Sequence, residues 1–537
     1  MKAQCLPFSQ IPHTSKLFLD FLSGAPGVSP FFPRDLHFSQ WIKDEAGKVQ
    51  YDSARRQKVA GILDRQNKAW GASFKTLENI SRLKSGAMAI VTGQQVGLFG
   101  GPLFSILKAL TAVKLAEAAT QAGVETVPVF WLATQDHDLA EIQSISLPGA
   151  EASLQKVTTT SSGVPESPVA TVPLGPEIEE TLKAAEQLLG ESEVTAFLRE
   201  CYRPDATYGS AFARLFTKLF DEWGVILLDA SDSELNAVAE PIYQSVIERS
   251  AELEEALLAR DSELEAAGYH QQVKVTPSST LLFGLKNGAR VLIQRDGTTP
   301  PNFLLGDEKV SQADLLQRIS SHPEEFSGNA LLRPVVQDYL LPTLAYTGGS
   351  AEVAYFAQAA VVYQELLNRV TPIIPRFSAT IVDTKANGLL ERYNLALTDV
   401  FQNPDKVREQ LAAQSLSQEL QSAFDAANSN LGKSFATIRE SLTRLDKTLV
   451  DAAENAESKI RHQLESLQAK AARAELRQSE VLDRHAKALT NGLYPNKVLQ
   501  EREIAGVYFL ARYGKDFLKD VYQNIHVDCF DHQVLSL

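Results

Sequence analysis

Three short stretches carry residues of a type and spacing suited to chemistry. In the first, Val91-Thr92-Gly93-Gln94-Gln95-Val96-Gly97-Leu98-Phe99-Gly100-Gly101-Pro102, four glycines fall within nine residues between a strand-like run and a helix-like one. Glycine lets backbone approach a ligand closely, and a helix N-terminus offers free N–H groups to an anion. The spacing is neither a Walker loop nor Gly-x-Gly-x-x-Gly. It reads as a phosphate or carboxylate site of another kind, the alternative being a tight turn packed on its neighbours. The second stretch is Thr134-Gln135-Asp136-His137-Asp138-Leu139-Ala140-Glu141. A histidine between two carboxylates can partner a phosphate, act as acid or base, or join Asp136, Asp138 and Glu141 around a divalent metal. The bland alternative is a solvated helix cap. The third spans Arg333 to Asp338 and Tyr346 to Tyr355, where Gly348-Gly349 repeats the order of strand, glycine turn and helix. Glu352 and Tyr355 are three apart on one helix face, suited to an amine, and Arg376 could hold a carboxylate bidentately.

Other candidates are weaker. His526-Val527-Asp528-Cys529-Phe530-Asp531-His532 has metal-like spacing but few good ligands and no paired motif elsewhere. His462 and His485 fall on a charged helical stretch and are expected to face solvent.

These residues need elements to hold them. Strand-like runs at Ala87–Val91, Val127–Leu132 and Gly224–Leu228 alternate with helical stretches, which predicts a parallel sheet covered by helices. In such a sheet ligands bind outside the carboxyl ends of the strands, above all where the strand order reverses. Turn-rich stretches at residues 149–176 and 272–310, with Lys286-Asn287-Gly288 and Arg295-Asp296-Gly297, read as parts of insertions into this core. The core pattern returns from Pro342 to Pro375.

Beyond residue 385 the period changes. From Phe435, apolar residues at Ile438, Leu442, Leu445, Leu449, Ala453, Ala456, Ile460, Leu464, Leu467, Ala471 and Ala474 recur at a mean spacing of about 3.5, the coiled-coil value. No Gly or Pro occurs from Lys433 to Asn491, which permits one helix of about 59 residues. Its stripe needs a partner. That partner is either the preceding segment (Leu411, Leu416, Leu420, Phe424, Leu431), through a hairpin around Gly432, or a second copy of the chain.

Composition narrows the function classes. The 537-residue chain carries 52 basic and 66 acidic residues, a net charge of -14, which argues against non-specific attraction to nucleic acid or anionic lipid. Three scattered cysteines make no disulfide framework. With no secretory leader pattern and no apolar run long enough for a membrane span, a cytoplasmic protein is expected.

The strings VTGQQVGLFGGPLFSILKALTAVKLA, PVFWLATQDHDLAEI, LLRPVVQDYLLPTLAYTGGSAEVAYFAQ, IIPRFSATIVD and YPNKVLQERE resemble the cysteine-adding (cysteine ligase) family of bacillithiol biosynthesis over residues about 90 to 505. The resemblance implies an α/β fold, with a Rossmann-like parallel-sheet core and connecting-peptide insertions, plus a long α-helical coiled coil that makes a homodimer. The expected division is a discontinuous core over 1–385 with inserts at about 146–215 and 236–330, a coiled coil over 386–490, and a segment 491–537 returning to the core. The implied reaction joins the carboxyl group of L-cysteine to the amine of glucosaminyl malate, with ATP and magnesium as the expected activating system. In that reading Gly93, Gln94, Gln95 and Gly97 cradle an anionic group. His137, Asp136 and Asp138 face it as catalytic residues, and no structural metal is expected. Arg333, Gln337, Gly348, Gly349, Glu352, Tyr355 and Arg376 hold malate and cysteine. Asn496, Gln500, Glu501 and Arg502 form a nucleotide (ATP or ADP) site away from this cleft. The chain lacks the His-x-Gly-His and Lys-Met-Ser-Lys-Ser devices of class I synthetases. The rivals are a non-catalytic nucleotide-binding scaffold and a metal-dependent hydrolase.

Overall fold

The computed structural model describes residues 1–161, 163–298, 301–402, 404–415, 418–478 and 480–537. The chain divides into two compact units. The first comprises Met1–Leu147, Gln155–Thr380 and Glu501–Leu535, and the second Pro148–Leu154, Ile381–Gln500 and Ser536–Leu537.

The first unit is built on a five-stranded parallel sheet of β1 (Met88–Gln94), β2 (Thr126–Leu132), β3 (Ile226–Asp229), β4 (Thr343–Gly348) and β5 (Ile373–Pro375), in the order β5-β4-β1-β2-β3. Every residue of β2 is buried, as a strand covered on both faces requires. Along β1, Ala89 and Val91 enter one core while Ile90 enters the other with Ala112, Leu115 and Ala116 of α1 (Leu103–Gln121). That is the period of two of a pleated strand. The chain runs outward from β1 through β2 to β3, then returns to lay β4 on the opposite side of β1. The strand order therefore reverses between β1 and β4, and α2 (Ser350–Leu367) follows β4 directly.

The turn-rich insertion forms a separate antiparallel sheet in the order Glu308–Ser311, Asn302–Leu305, Ala289–Arg295, Ser279–Lys286, Phe326–Gly328. Asn287 and Gly288 both have positive φ at its first hairpin, the conformation that a two-residue Asn-Gly loop supplies.

In the second unit, α3 (Pro404–Ser415) and α4 (Gln418–Leu445) pack along α5 (Val450–Gln478), with α6 (Glu480–Leu493) following. The uninterrupted helix permitted from Lys433 is broken. At Asp446 the backbone leaves helical geometry, and the side chain accepts hydrogen bonds from Thr448 N at 2.9 Å and Oγ1 at 2.8 Å. An aspartate that satisfies local backbone competes with the helix. The hairpin thus turns at Asp446–Leu449, and Gly432 lies inside α4. Phe424, Phe435 and Ala453 are buried, whereas Ile438, Leu445, Leu449, Ile460 and Leu467 are exposed. Leu416 lies outside the described residues. His485 is half-buried, its Nδ1 2.8 Å from Tyr393 Oη, rather than facing solvent, and His462 is exposed. Among the described residues, no helix is long and apolar enough to cross a membrane.

Candidate active site

At the carboxyl ends of β1 and β4, where the strand order reverses, lies a cavity of about 730 Å3 built entirely from the first unit. The sheet rule places a ligand here. Its wall brings together residues from all three sequence stretches: Gly93, Gln94 and Gln95; Asp136 and Glu141; and Arg333, Gly349, Glu352, Tyr355 and Arg376. Arg502 joins them, and the inserted sheet adds Phe283 and Arg290.

Lys108 is the centre of one side. It projects from α1, is almost wholly buried, and donates to Gly93 O at 2.7 Å and Gln94 Oε1 at 3.0 Å. Its Nζ also lies 2.6 Å from Glu352 Oε2. Burial pushes the Lys108 ammonium down to about 8 against the pull of Glu352, with Arg376 and Arg333 adding to the fall. Burial works to raise the Glu352 carboxyl, but Lys108, Tyr346 Oη at 2.6 Å and Gly349 N at 2.7 Å outweigh it and hold the group ionised. Gly348 admits no larger residue, because a Cβ there would sit 2.8 Å from that of Glu352. Phe104, one helical turn before Lys108, has the charged heads of Lys108, Arg376 and Arg502 within 6.0 Å of its ring centre.

Arg376 is fixed from behind. It donates to Glu501 Oε1 at 2.6 Å and Phe377 O at 2.8 Å, while Glu501 also accepts from Ser378 Oγ at 2.8 Å and Ala379 N at 2.9 Å. Burial would raise the Glu501 carboxyl, yet the Arg376 charge keeps it low. Arg333 donates to Tyr355 Oη at 2.7 Å and leans on Gln337 Oε1 at 3.4 Å. Gln337 is fully buried and off the cavity wall, so it positions Arg333.

The opposite side is differently arranged from the sequence expectation. Asp136 accepts from Gln95 Nε2 and from His137 N, each at 2.8 Å. His137 Nδ1 lies 3.1 Å from an Arg290 nitrogen that can only donate, and its Nε2 lies 3.0 Å from Glu166 Oε2. This arrangement assigns the ring proton to Nε2 and leaves Nδ1 as acceptor. His137 is off the cavity wall, and the cation that faces the cavity here is Arg290, lowered to about 10 by burial. Asp138 caps the short helix Leu139–Ile142 by accepting from Glu141 N at 3.2 Å, which is the helix-cap arrangement.

The glycine turn also differs in detail. Gly93 lines the cavity, and a Cβ there would meet that of Trp131 at 3.0 Å. Gly97, by contrast, packs against Gly101. The first amide of α1, Leu103 N, donates to Ile504 O at 2.9 Å, so that group is spent within the protein. The four residues expected to form a remote nucleotide site are placed in different surroundings. Arg502 lines this cavity, and Glu501 is buried behind it. Gln500 bonds Ile381 N at 2.7 Å and Ile381 O at 2.9 Å in the second unit, and Asn496 occupies the turn Pro495–Lys497 there. The C-terminal cluster also divides. His526 is exposed, while His532 is buried with its ring nitrogens on Ser378 Oγ and Thr380 Oγ1.

The sequence profile described as "Bacillithiol biosynthesis BshC, N-terminal Rossmann-like domain" matches residues 1–377, and that described as "Bacillithiol biosynthesis BshC, C-terminal coiled-coil domain" matches residues 379–537. The chain belongs to the BshC family of bacillithiol biosynthesis. A protein of Koribacter versatilis named "Putative cysteine ligase BshC" is 46% identical over 537 residues, covering the whole of both chains. Same-named proteins of Solibacter usitatus and Salinibacter ruber are 34% and 31% identical, spanning 100% and 97% of this chain and 100% and 96% of their own. The Rossmann-like domain and the helical coiled-coil domain are thus features of the BshC family as well as of this structure.

Among the charged wall residues, Lys108, Lys274 and Arg290 escaped the sequence reading. Lys108 had a signal: a lysine within Phe104-Ser105-Ile106-Leu107-Lys108-Ala109-Leu110, where a buried ammonium must find a partner. Arg290 had none, since the insertion carries it to the sheet edge from 153 residues beyond His137.

Proposed function

We propose that the chain joins the carboxyl group of L-cysteine to the amine of glucosaminyl malate, with ATP activating the carboxyl group. Membership of the BshC family and the names of its relatives support the reaction class. The observation that carries the reading is the charge of the cavity. Lys108, Lys274, Arg290, Arg333, Arg376 and Arg502 face it against Asp136, Glu141 and Glu352, in a chain whose net charge is -14. A cleft with an excess of one sign within a low-dielectric wall concentrates ligands of the other. Malate brings two carboxylates, and a nucleotide brings phosphates.

Arg333 and Arg376, each held from behind, suit carboxylate oxygens in the fork geometry. The residues present also fit a nucleotide: the volume of about 730 Å3 lies within the roughly 300–1,000 Å3 of cofactor sites, and basic residues outnumber acidic ones on its wall. Arg502 would hold its phosphates, with the buried Lys108 charge behind it, and Asp136 or Glu141 would offer a carboxylate to an accompanying magnesium ion. When bound, ATP supplies the leaving group that a free carboxylate lacks. Asp136, fixed by Gln95, accepts the proton released as the amine attacks the acyl carbon and the bond to the leaving group breaks, while Arg290 stabilises the oxygen that gains charge. The exposed apolar residues of the α4–α5 hairpin serve a homodimer.

The test is mass spectrometry of the purified protein with L-cysteine, glucosaminyl malate and Mg-ATP, each omitted in turn. An amide-linked thiol that requires all three, with AMP or ADP released, is expected. Nucleotide binding indifferent to both other substrates, without product, would favour the scaffold reading and overturn this one.

A further inference from the structure

Away from the cavity, two thiols meet. Cys5, in the strand Lys2–Leu6, and Cys529, in the loop before the strand His532–Ser536, lie with their sulfurs 3.5 Å apart across 524 residues of sequence. Cys5 is exposed, Cys529 half-buried and Cys201 fully buried. Gln533 Nε2 lies 3.4 Å from one sulfur and 3.2 Å from the other. Its backbone is pinned by a hydrogen bond from Gln533 N to Ser378 O at 2.8 Å.

We propose that Cys5 and Cys529 form a reversible disulfide that responds to low-molecular-weight disulfides. Bringing the sulfurs to bonding distance requires about 1.5 Å of closure, within reach of side-chain rotation. The exposed Cys5 thiolate attacks one sulfur of the small disulfide, releasing one thiol and leaving a mixed disulfide. Cys529, as thiolate, then attacks the Cys5 sulfur and releases the second thiol. Two protein thiols and one small disulfide become one protein disulfide and two small thiols. Burial and the neighbouring Cys5 raise the Cys529 thiol, which keeps more of it protonated and makes it the second to attack, after the exposed Cys5. Asp531 also lies within ligand distance of both sulfurs. Three donors leave a tetrahedral ion one short, however, and both thiols are already hydrogen-bonded to the Gln533 amide, whose Oε1 lies 3.6 Å from Cys5 Sγ.

The full-length protein is equilibrated with glutathione disulfide and mapped by non-reducing peptide mass spectrometry. The expected result is a Cys5–Cys529 cross-linked peptide, with Cys201 as the sole remaining thiol and full reversal by dithiothreitol. Cys529→Ser should trap a glutathione adduct on Cys5, and Asp531→Asn should leave the cross-link intact. Three outcomes overturn the proposal: both thiols remaining reduced, a persistent glutathione adduct on wild-type Cys5, or stoichiometric zinc that Asp531→Asn releases. None of these readouts depends on the ligase reading.

Discussion

Lys108 is a buried ammonium whose charge is conditional. At neutral pH it is protonated and paired with Glu352, but burial pushes it down to about 8, so it loses its proton in mildly alkaline solution. Affinity for ATP, measured by calorimetry, should fall as pH rises through about 8, because the lost ammonium leaves Glu352 uncompensated beside the phosphates. Lys108→Met should bind roughly 100-fold more weakly at pH 7, about 2.7 kcal/mol, and should flatten that dependence. Across the cavity, Arg290→Ala should lower kcat/KM by about 100-fold, as expected for a lost charge stabiliser, because Arg290, unlike His137, lies on the wall. His137→Ala should cost less than about 10-fold, the loss of one hydrogen-bond partner of Arg290. A larger effect at His137 than at Arg290 would reverse the assignment. These residues also show what could be read in advance. Gln95, Asp136, Glu352 and Arg376 were legible because each lies in a loop that follows a strand or in the first turn of a helix. The side chain of Asp138 could not be placed without the cap it makes.

At the scale of elements, the C-terminal strand works as a brace. His532 is buried between Ser378 and Thr380 beside the Glu501–Arg376 pair, and burial lowers it to about 4, with Arg376 opposing its charge and Glu501 favouring it. The folded ring is therefore neutral down to about pH 4, whereas the unfolded chain takes up a proton below about pH 6.5. Stability from this group is fully present above pH 6.5 and is lost as pH falls toward 4, by on the order of 3 kcal/mol. Guanidinium midpoints across this range should drop more steeply for wild type than for His532→Asn, which cannot titrate. Glu501, held ionised, adds acid sensitivity in both proteins. The parallel sheet was legible from its buried runs and the hairpin from Asn287-Gly288. The helical stripe was legible in period but not in extent, because a single aspartate at residue 446 ends a helix that no glycine or proline interrupts.

At the scale of the molecule, the hairpin leaves Leu445, Leu449, Ile460 and Leu467 exposed. Sedimentation should show a dimer, and Leu445→Lys combined with Leu467→Lys should give a folded monomer. A dimer unchanged by the pair would place the interface elsewhere. The first unit is assembled from separated stretches of chain: Arg376 and its counter-charge Glu501 are 125 residues apart, with the whole run Ile381–Gln500 made between them. During synthesis at about 5–20 residues per second, Arg376 waits roughly 6–25 s for the carboxylate that balances it. The cavity is consequently among the last parts of the protein to be completed. A chain truncated before Glu501 leaves Arg376 unbalanced, and it should be recovered from cells with the first unit incompletely folded. A chain in which the tip of the hairpin alone is shortened keeps both partners and should fold.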